Sequence, residues 1–410
     1  MYIVLIISIA MMLFINYIAM KDLLSPAGLY CFVLLISSIY GLFWFRQWEL
    51  ADYNIKTYII IMLGVLVFSL TSLFVHYLFS GGSEGEIHNE YGIIRIGNIK
   101  FVIVLIIELV TTYLSVQFYG GSLSNLSNQI ISYRVASVAG DATMPSYLSL
   151  LLNLCIVNGY CCGYIAANNF ILERRVPFKW ILLLLLSIFN SLFAGSRGGA
   201  VSIIVATFCV FCYLYHRLNH RENDIKRKRK IRILTLIFVV LGIVFFIRSA
   251  FFLGRTMDYS PAYYLSIHLS APLKNLDTNI MLKDQGVGIR GTEFRSINGL
   301  SLGNVGTVYT YEYIYGGIIY VIIASFLMAL LSSLLYEIAN KRKIESNRID
   351  FVLVLYSYLF YAVSMIIFGT TMLDSVFSTF FLKILVGILV LSIFYNIELK
   401  GHILEIKRII

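Results

Sequence analysis

Six arginines, Arg134, Arg197, Arg248, Arg255, Arg290 and Arg295, fall in or beside the polar segments that interrupt long apolar runs. A guanidinium is charged at every physiological pH, and its planar fork holds phosphate through two parallel hydrogen bonds. Several such groups at one membrane face suit a lipid-linked phosphate or pyrophosphate. When a bond to pyrophosphate breaks, negative charge gathers on the leaving group, and preorganised cations stabilise that charge without a metal. Acids close in sequence offer Arg290 and Arg295 simple ion-pair partners instead. The sharpest case is Arg197, in Phe193-Ala194-Gly195-Ser196-Arg197-Gly198-Gly199-Ala200. Glycine lets the chain turn tightly, and the first N–H groups of the following helix are unpaired and carry its positive dipole end. An anion is well held at such a place. The competing reading is a tight hairpin whose Arg reaches out to lipid headgroups.

A hydroxyl that attacks such a donor needs a base. Glu312 and His268 are the catalytic candidates, with Asp141 beside Arg134 chemically able as well. No DxD or EF-hand-like cluster occurs, so metal-independent chemistry is expected, with no cofactor. Cys209 and Cys212 have CxxC spacing but lie in an apolar run and read as core packing. Glu108 and Lys383 also fall inside apolar runs. Charges there are costly, and the simplest expectation is that they pair with each other. In a transporter they would form the ion site; in a transferase they would be a structural pair or a wall of the lipid-chain cavity. Tyr309, Tyr311, Tyr313 and Tyr315 alternate in a way that suits sugar stacking or an interfacial aromatic belt. Gly286-Val287-Gly288-Ile289-Arg290-Gly291 fits GxGxxG but follows no apolar strand, which argues against dinucleotide binding.

These groups are carried by a chain of 410 residues that is 59% hydrophobic and only 13% charged. A soluble domain is about 45–50% apolar and about 25% charged, so the composition excludes disordered, fibrous and disulfide-stapled secreted classes. It points to an all-α, polytopic integral membrane protein. Apolar stretches long enough to cross a bilayer fall near 2–20, 25–45, 57–79, 100–119, 146–167, 178–194, 199–215, 233–248, 313–336, 351–370 and 376–397, about 11 transmembrane helices in one domain over 1–410. The net charge of +10 would suggest nucleic acid in a soluble protein, but the basic residues crowd particular loops. Segment 216–232 holds eight of them against Glu222 and Asp224. The positive-inside rule makes that loop and the C-terminal tail cytoplasmic, so anionic lipid headgroups account for the charge and nucleic acid is not needed. By the same parity a large external loop, 249–312, joins spans eight and nine. Ser260-Pro261 and Ser270-Ala271-Pro272 predict short helices in it, lying against the outer face.

Leu192-Phe193-Ala194-Gly195-Ser196-Arg197-Gly198-Gly199 at the opening of a span resembles the Ser-Arg-Gly signature of the O-antigen polymerases (Wzy-type oligosaccharide repeat-unit polymerases). Tyr119-Gly120-Gly121 followed by Arg134, the late outer loop, and the span entry Tyr311-Glu312-Tyr313-Ile314-Tyr315-Gly316-Gly317 are similar to that family too. The resemblance implies a glycosyltransferase on the outer face of the bacterial inner membrane, working in surface polysaccharide (lipopolysaccharide) biosynthesis. Its donor and acceptor would be glycans linked to undecaprenyl pyrophosphate, and its expected partners are a chain-length regulator and a flippase. Arg197, Arg134 and Arg255, with Arg248 in reserve, would bind the pyrophosphate. The alternatives are an O-antigen ligase, kept open by His268, and a polysaccharide flippase or secondary transporter built around Glu108 and Lys383.

Overall fold

The computed structural model describes residues 1–80, 92–95, 97–121, 124–173, 175–219, 236, 240–249, 260–289, 293–342, 348–368, 376, 378–400 and 403–406. Arg255, Arg290 and residues 220–232 of the basic loop lie outside them.

The described chain is predominantly helical, with two short pairs of antiparallel strands. Eight helices are long and apolar enough to cross a membrane. They are α1 (Tyr2–Met20), α2 (Pro26–Gly41, prolonged by a 3₁₀ turn Leu42–Trp44), α3 (Ile55–Ser80), α4 (Asn98–Phe118), α6 (Ser146–Glu173), α8 (Gly198–Asn219), α12 (Tyr309–Lys341) and α14 (Thr379–Asn396). The remaining predicted spans correspond to shorter apolar helices: α7 (Phe178–Leu192), α9 (Val240–Ser249) and α13 (Phe351–Ser364). Between the spans lie α5 (Leu126–Ala139), α10 (Pro261–Leu269) and α11 (Ala271–Asp284).

The distribution of side chains is that of a protein immersed in hydrocarbon. Phe14, Phe74 and Tyr113 are each more than 60% exposed on their helices, whereas Asn16, Ser69, Glu108, Asn158 and Asn190 are buried. A water-soluble chain does not leave contiguous apolar faces of this kind open. Interior polar groups bond from helix to helix: Asn16 Nδ2 donates to Ser69 Oγ at 2.9 Å and to Cys31 Sγ at 3.3 Å, tying α1, α2 and α3. Helix-to-helix hydrogen bonds of this type are the glue available where apolar burial no longer discriminates between helix and lipid.

Packing gathers into two compact units. Unit 1 comprises residues 1–86, 257–341 and 359–378; unit 2 comprises 87–256, 342–358 and 379–410. Within each, the direction of neighbouring helices follows the alternation expected of successive spans. In unit 1, Ser8 meets Tyr58 and Asn16 meets Ser69, so α1 and α3 are parallel. In unit 2, Tyr160 meets Ser202 along parallel α6 and α8, while Asn158 meets Ser187 and Cys155 meets Asn190 along antiparallel α6 and α7. Small residues permit the parallel contact: a Cβ at Gly159 would lie 2.6 Å from Ile203 Cδ1, and one at Gly199 would lie 2.9 Å from Ile156 Cδ1.

Candidate functional site

In unit 2 the turn between α7 and α8 is the Ser-Arg-Gly segment. Gly195 occupies the left-handed region (φ 71°), which a Cβ would strain, and α8 begins at Gly198. The turn is held from outside. Tyr119 donates its hydroxyl to the Phe193 carbonyl at 2.6 Å, and its ring lies parallel to that of Phe193 with centroids 6.3 Å apart. Burial, with Tyr133 adding to it, pushes the Tyr119 phenol well above its ordinary range, so it remains a donor. Tyr133, edge-on to Tyr119 at 5.6 Å, brings α5 into the same cluster, with Ile130, Leu148 and Leu152 beneath. Gly120 and Gly121, both at positive φ, let the chain leave α4 and reach α5.

This scaffold sets Arg134 beside the turn: its Cβ is 3.7 Å from where a Cβ of Gly195 would stand. Arg197 is only 5% exposed; its Nη1 donates to the Phe246 carbonyl at 2.8 Å, and its guanidinium lies over the Phe246 ring, 4.0 Å from the centroid. A cation set against the last turn of α9 also sits well with that helix's negative dipole end. Arg248 stands two residues further along α9 and is exposed. The three described arginines of the four expected to bind pyrophosphate therefore belong to unit 2, and Arg134 stands beside the turn that carries Arg197. A guanidinium has five N–H donors in a fixed fork, so a hydrogen bond to one carbonyl is compatible with binding an anion.

The two expected bases belong to unit 1. His268 is buried on α10, where its Nδ1 lies 2.9 Å from the Tyr264 carbonyl and its ring packs against Tyr264 and Phe368. Glu312 is buried in the first turn of α12, within electrostatic reach of Tyr30 and Tyr309, which are hydrogen-bonded to each other. Gly317 (φ 65°, ψ −155°) breaks α12 after its first two turns, and Lys283 Nζ donates to the carbonyls of Tyr313 and Ile314 exposed by that break, at 2.6 and 2.7 Å.

Two short helices follow the Ser-Pro and Ser-Ala-Pro signals of segment 249–312, though they are largely buried rather than lying on a surface, and one cap works differently from expectation. Ser260 accepts from Tyr263 N as a helix cap, whereas the Ser270 hydroxyl donates to the Ser37 carbonyl at 2.6 Å. Most of α11 is buried, and its Asp277 accepts from Asn54 N (3.0 Å), Thr57 Oγ1 (2.7 Å) and Lys274 Nζ (3.0 Å). The loop also contains an Asn298-Gly299 hairpin joining β1 (Arg295–Ile297) to β2 (Leu300–Gly303). Arg295 is taken up by Glu293 at 2.5 Å and by Asn279 at 3.0 Å, the ion-pair alternative of the sequence reading.

The expected Glu108–Lys383 pair does not form. Glu108 on α4 is 1% exposed, and its carboxylate accepts from Asn158 Nδ2 (2.8 Å), Ser187 Oγ (2.5 Å) and Asn190 Nδ2 (2.6 Å). Tyr395 of α14 in turn donates to Asn158 Oδ1 at 2.6 Å, and Thr112 to Asn190 Oδ1 at 2.8 Å. Neutral donors on neighbouring helices replace the counter-ion, and Lys383 is exposed on α14. The network was partly readable: Ser187 and Asn190, three apart on α7, and Glu108 and Thr112, four apart on α4, mark polar stripes on otherwise apolar helices.

Fold and side-chain distribution define the chain as a polytopic α-helical membrane protein. No protein-family model, curated protein or solved structure matches it. Among the described residues no group of His, Cys, Asp and Glu is arranged to hold a metal ion.

Proposed function

We propose that this chain is a membrane glycosyltransferase that polymerises undecaprenyl-pyrophosphate-linked oligosaccharide repeat units of a surface polysaccharide, on the outer face of a bacterial inner membrane. The observation that carries the reading is the Arg134–Arg197 turn of unit 2, braced by Tyr119, with Arg248 on the helix that Arg197 caps. In the proposed step the terminal hydroxyl oxygen of the acceptor forms a bond to the anomeric carbon of the donor glycan. The bond from that carbon to pyrophosphate breaks, its electron pair leaves with the phosphate oxygen, and the hydroxyl proton passes to a base. The arginines would stabilise the leaving pyrophosphate; removal of one such preorganised donor costs about 10²–10³-fold in rate. Glu312 and His268 are the proposed bases, and Arg255 a further pyrophosphate ligand.

Two other readings each draw on one observation. His268, buried on the loop helix α10, suits an O-antigen ligase. Glu108, an unusual carboxylate within a span, suits a flippase or secondary transporter. Surface glycan from a deletion strain complemented with variants separates all three. A polymerase predicts that Arg197→Ala leaves single-repeat glycan and no ladder at normal protein level, while Arg197→Lys retains some ladder. A full ladder in Arg197→Ala refutes the role. Loss of single-repeat glycan would indicate the ligase or transporter instead.

A further inference from the structure

In unit 2, α6 and α14 run parallel and touch closely at one point, where a Cβ at Gly387 would lie 2.9 Å from Val157 Cγ2. Around this contact the same two helices line a groove of about 440 Å³. Its walls are Leu150, Leu154 and Val157 on α6 and Lys383, Val386 and Val390 on α14. The spacings, i, i+4, i+7 on one helix and i, i+3, i+7 on the other, put each set on a single helical face. The groove is open: Leu150, Val386 and Val390 are each more than half exposed. Asn153 is the other polar side chain in the lining, and among the described residues no acid pairs with Lys383.

We infer that this groove is a binding site for an anionic phospholipid, its acyl chain lying between α6 and α14 and its phosphodiester at Lys383. Lys383 stands about one turn into a helix whose 18 residues span roughly 27 Å, so its amine reaches the headgroup level while its stem lies along apolar surface. A lone ammonium in an apolar span is costly without an anion, and the lipid phosphate is the anion present at that depth. One cation matches the single charge of a phosphodiester rather than the higher charge of a pyrophosphate, and the lining includes none of Arg134, Arg197 and Arg248. The inference depends on membrane embedding alone and is independent of glycosyl transfer.

The test is native mass spectrometry of the purified full-length protein released from mixed phosphatidylglycerol and phosphatidylcholine. The wild type retains phosphatidylglycerol with about five-fold preference, the size of effect that one basic residue near the headgroups supplies. Lys383→Arg keeps the preference, Lys383→Leu abolishes it, and Val386→Trp, which fills the groove from its exposed side, reduces retention. No preference in the wild type, an unchanged preference in Lys383→Leu, or full retention in Val386→Trp overturns the site. Displacement of phosphatidylglycerol by an equimolar polyprenyl pyrophosphate would reassign the groove to the lipid-linked substrate and overturn it as well.

Discussion

Replacing Glu108 by Gln changes one oxygen to NH₂ and leaves size and shape nearly unchanged, yet the network around it consists of donors. Asn158 Nδ2 and Ser187 Oγ converge on Oε1, and Asn190 Nδ2 on Oε2. Neither asparagine is held only from one side, because Asn158 Oδ1 accepts from Tyr395 and Asn190 Oδ1 from Thr112. In Glu108→Gln an N–H therefore faces an N–H wherever the new amide points, unless an asparagine turns over and gives up its second bond. In water-soluble cores an orphaned buried donor costs about 1–3 kcal/mol. Within a bilayer, measured helix-to-helix hydrogen bonds average about 0.6 and reach about 1.7 kcal/mol, since the unfolded chain also finds partners. The membrane figure is the relevant one, so Glu108→Gln, which loses one such bond, is expected to lower stability by about 0.6–1.7 kcal/mol and Glu108→Leu, which removes three acceptor contacts, by about 2–5 kcal/mol. The assay is thermal unfolding in detergent with a double-mutant cycle against Asn190→Ala. Coupling of at least about 0.5 kcal/mol is expected because the two share a bond, whereas Lys383→Leu should add independently to Glu108→Gln. Additivity with Asn190→Ala, or rescue of Glu108→Lys by Lys383→Glu, would refute the network and restore the ion pair.

Tyr119→Phe removes the 2.6 Å bond to Phe193 while keeping the ring, and should cost about 1 kcal/mol in unfolding and shorten the glycan ladder by loosening the turn. Gly195→Ala meets no obstacle closer than 3.7 Å, so its penalty is the left-handed backbone alone, about 1–2 kcal/mol, visible as a lower Tm. Lys274→Met leaves Asp277 buried without its cation and should cost about 3–5 kcal/mol, most of it recovered in the double variant Lys274→Met/Asp277→Leu. Equal damage in the single and double variants would contradict the ion-pair account. Protonated Tyr119 is favoured by the fold, so its contribution is complete below the ordinary tyrosine range and is lost as pH rises through about 10 and beyond; Tyr119→Phe should flatten that alkaline loss.

Apolar run length located the eight helices that are long and apolar enough to cross a membrane, because hydrocarbon thickness and helical rise leave little choice. The short helices α7 and α13 fall inside predicted spans, and α9 ends one residue beyond its own. Glycine chemistry also read through at the Ser-Arg-Gly turn, where Gly195 takes the left-handed conformation that a tight turn requires. The pairing of charges did not read through. Glu108 and Lys383 share a type of environment in the sequence, but only packing decides that Glu108 points into α6 and α7 while Lys383 faces outward. Asp277 could not be matched to Lys274 rather than to a distant arginine, since its other partners, Asn54 and Thr57, come from the far end of the chain. Phe246, which holds Arg197, carries no polar signal; only its aromatic ring beside a cation marks it after the fact. Likewise the burial of α11 follows from Lys274–Asp277 and Asn275 finding partners inside unit 1, a tertiary outcome that its polar composition argues against.

Glycosyl transfer itself is tested by reconstituting the purified chain into vesicles with undecaprenyl-pyrophosphate-linked repeat units and chelator, and resolving the glycan by length. The account predicts a ladder of lipid-linked oligomers that falls by about 10²–10³-fold in Arg197→Ala and is lowered in Arg134→Ala. Single repeat units left unjoined by the wild type, whether still in place or moved across the vesicle membrane, would contradict it.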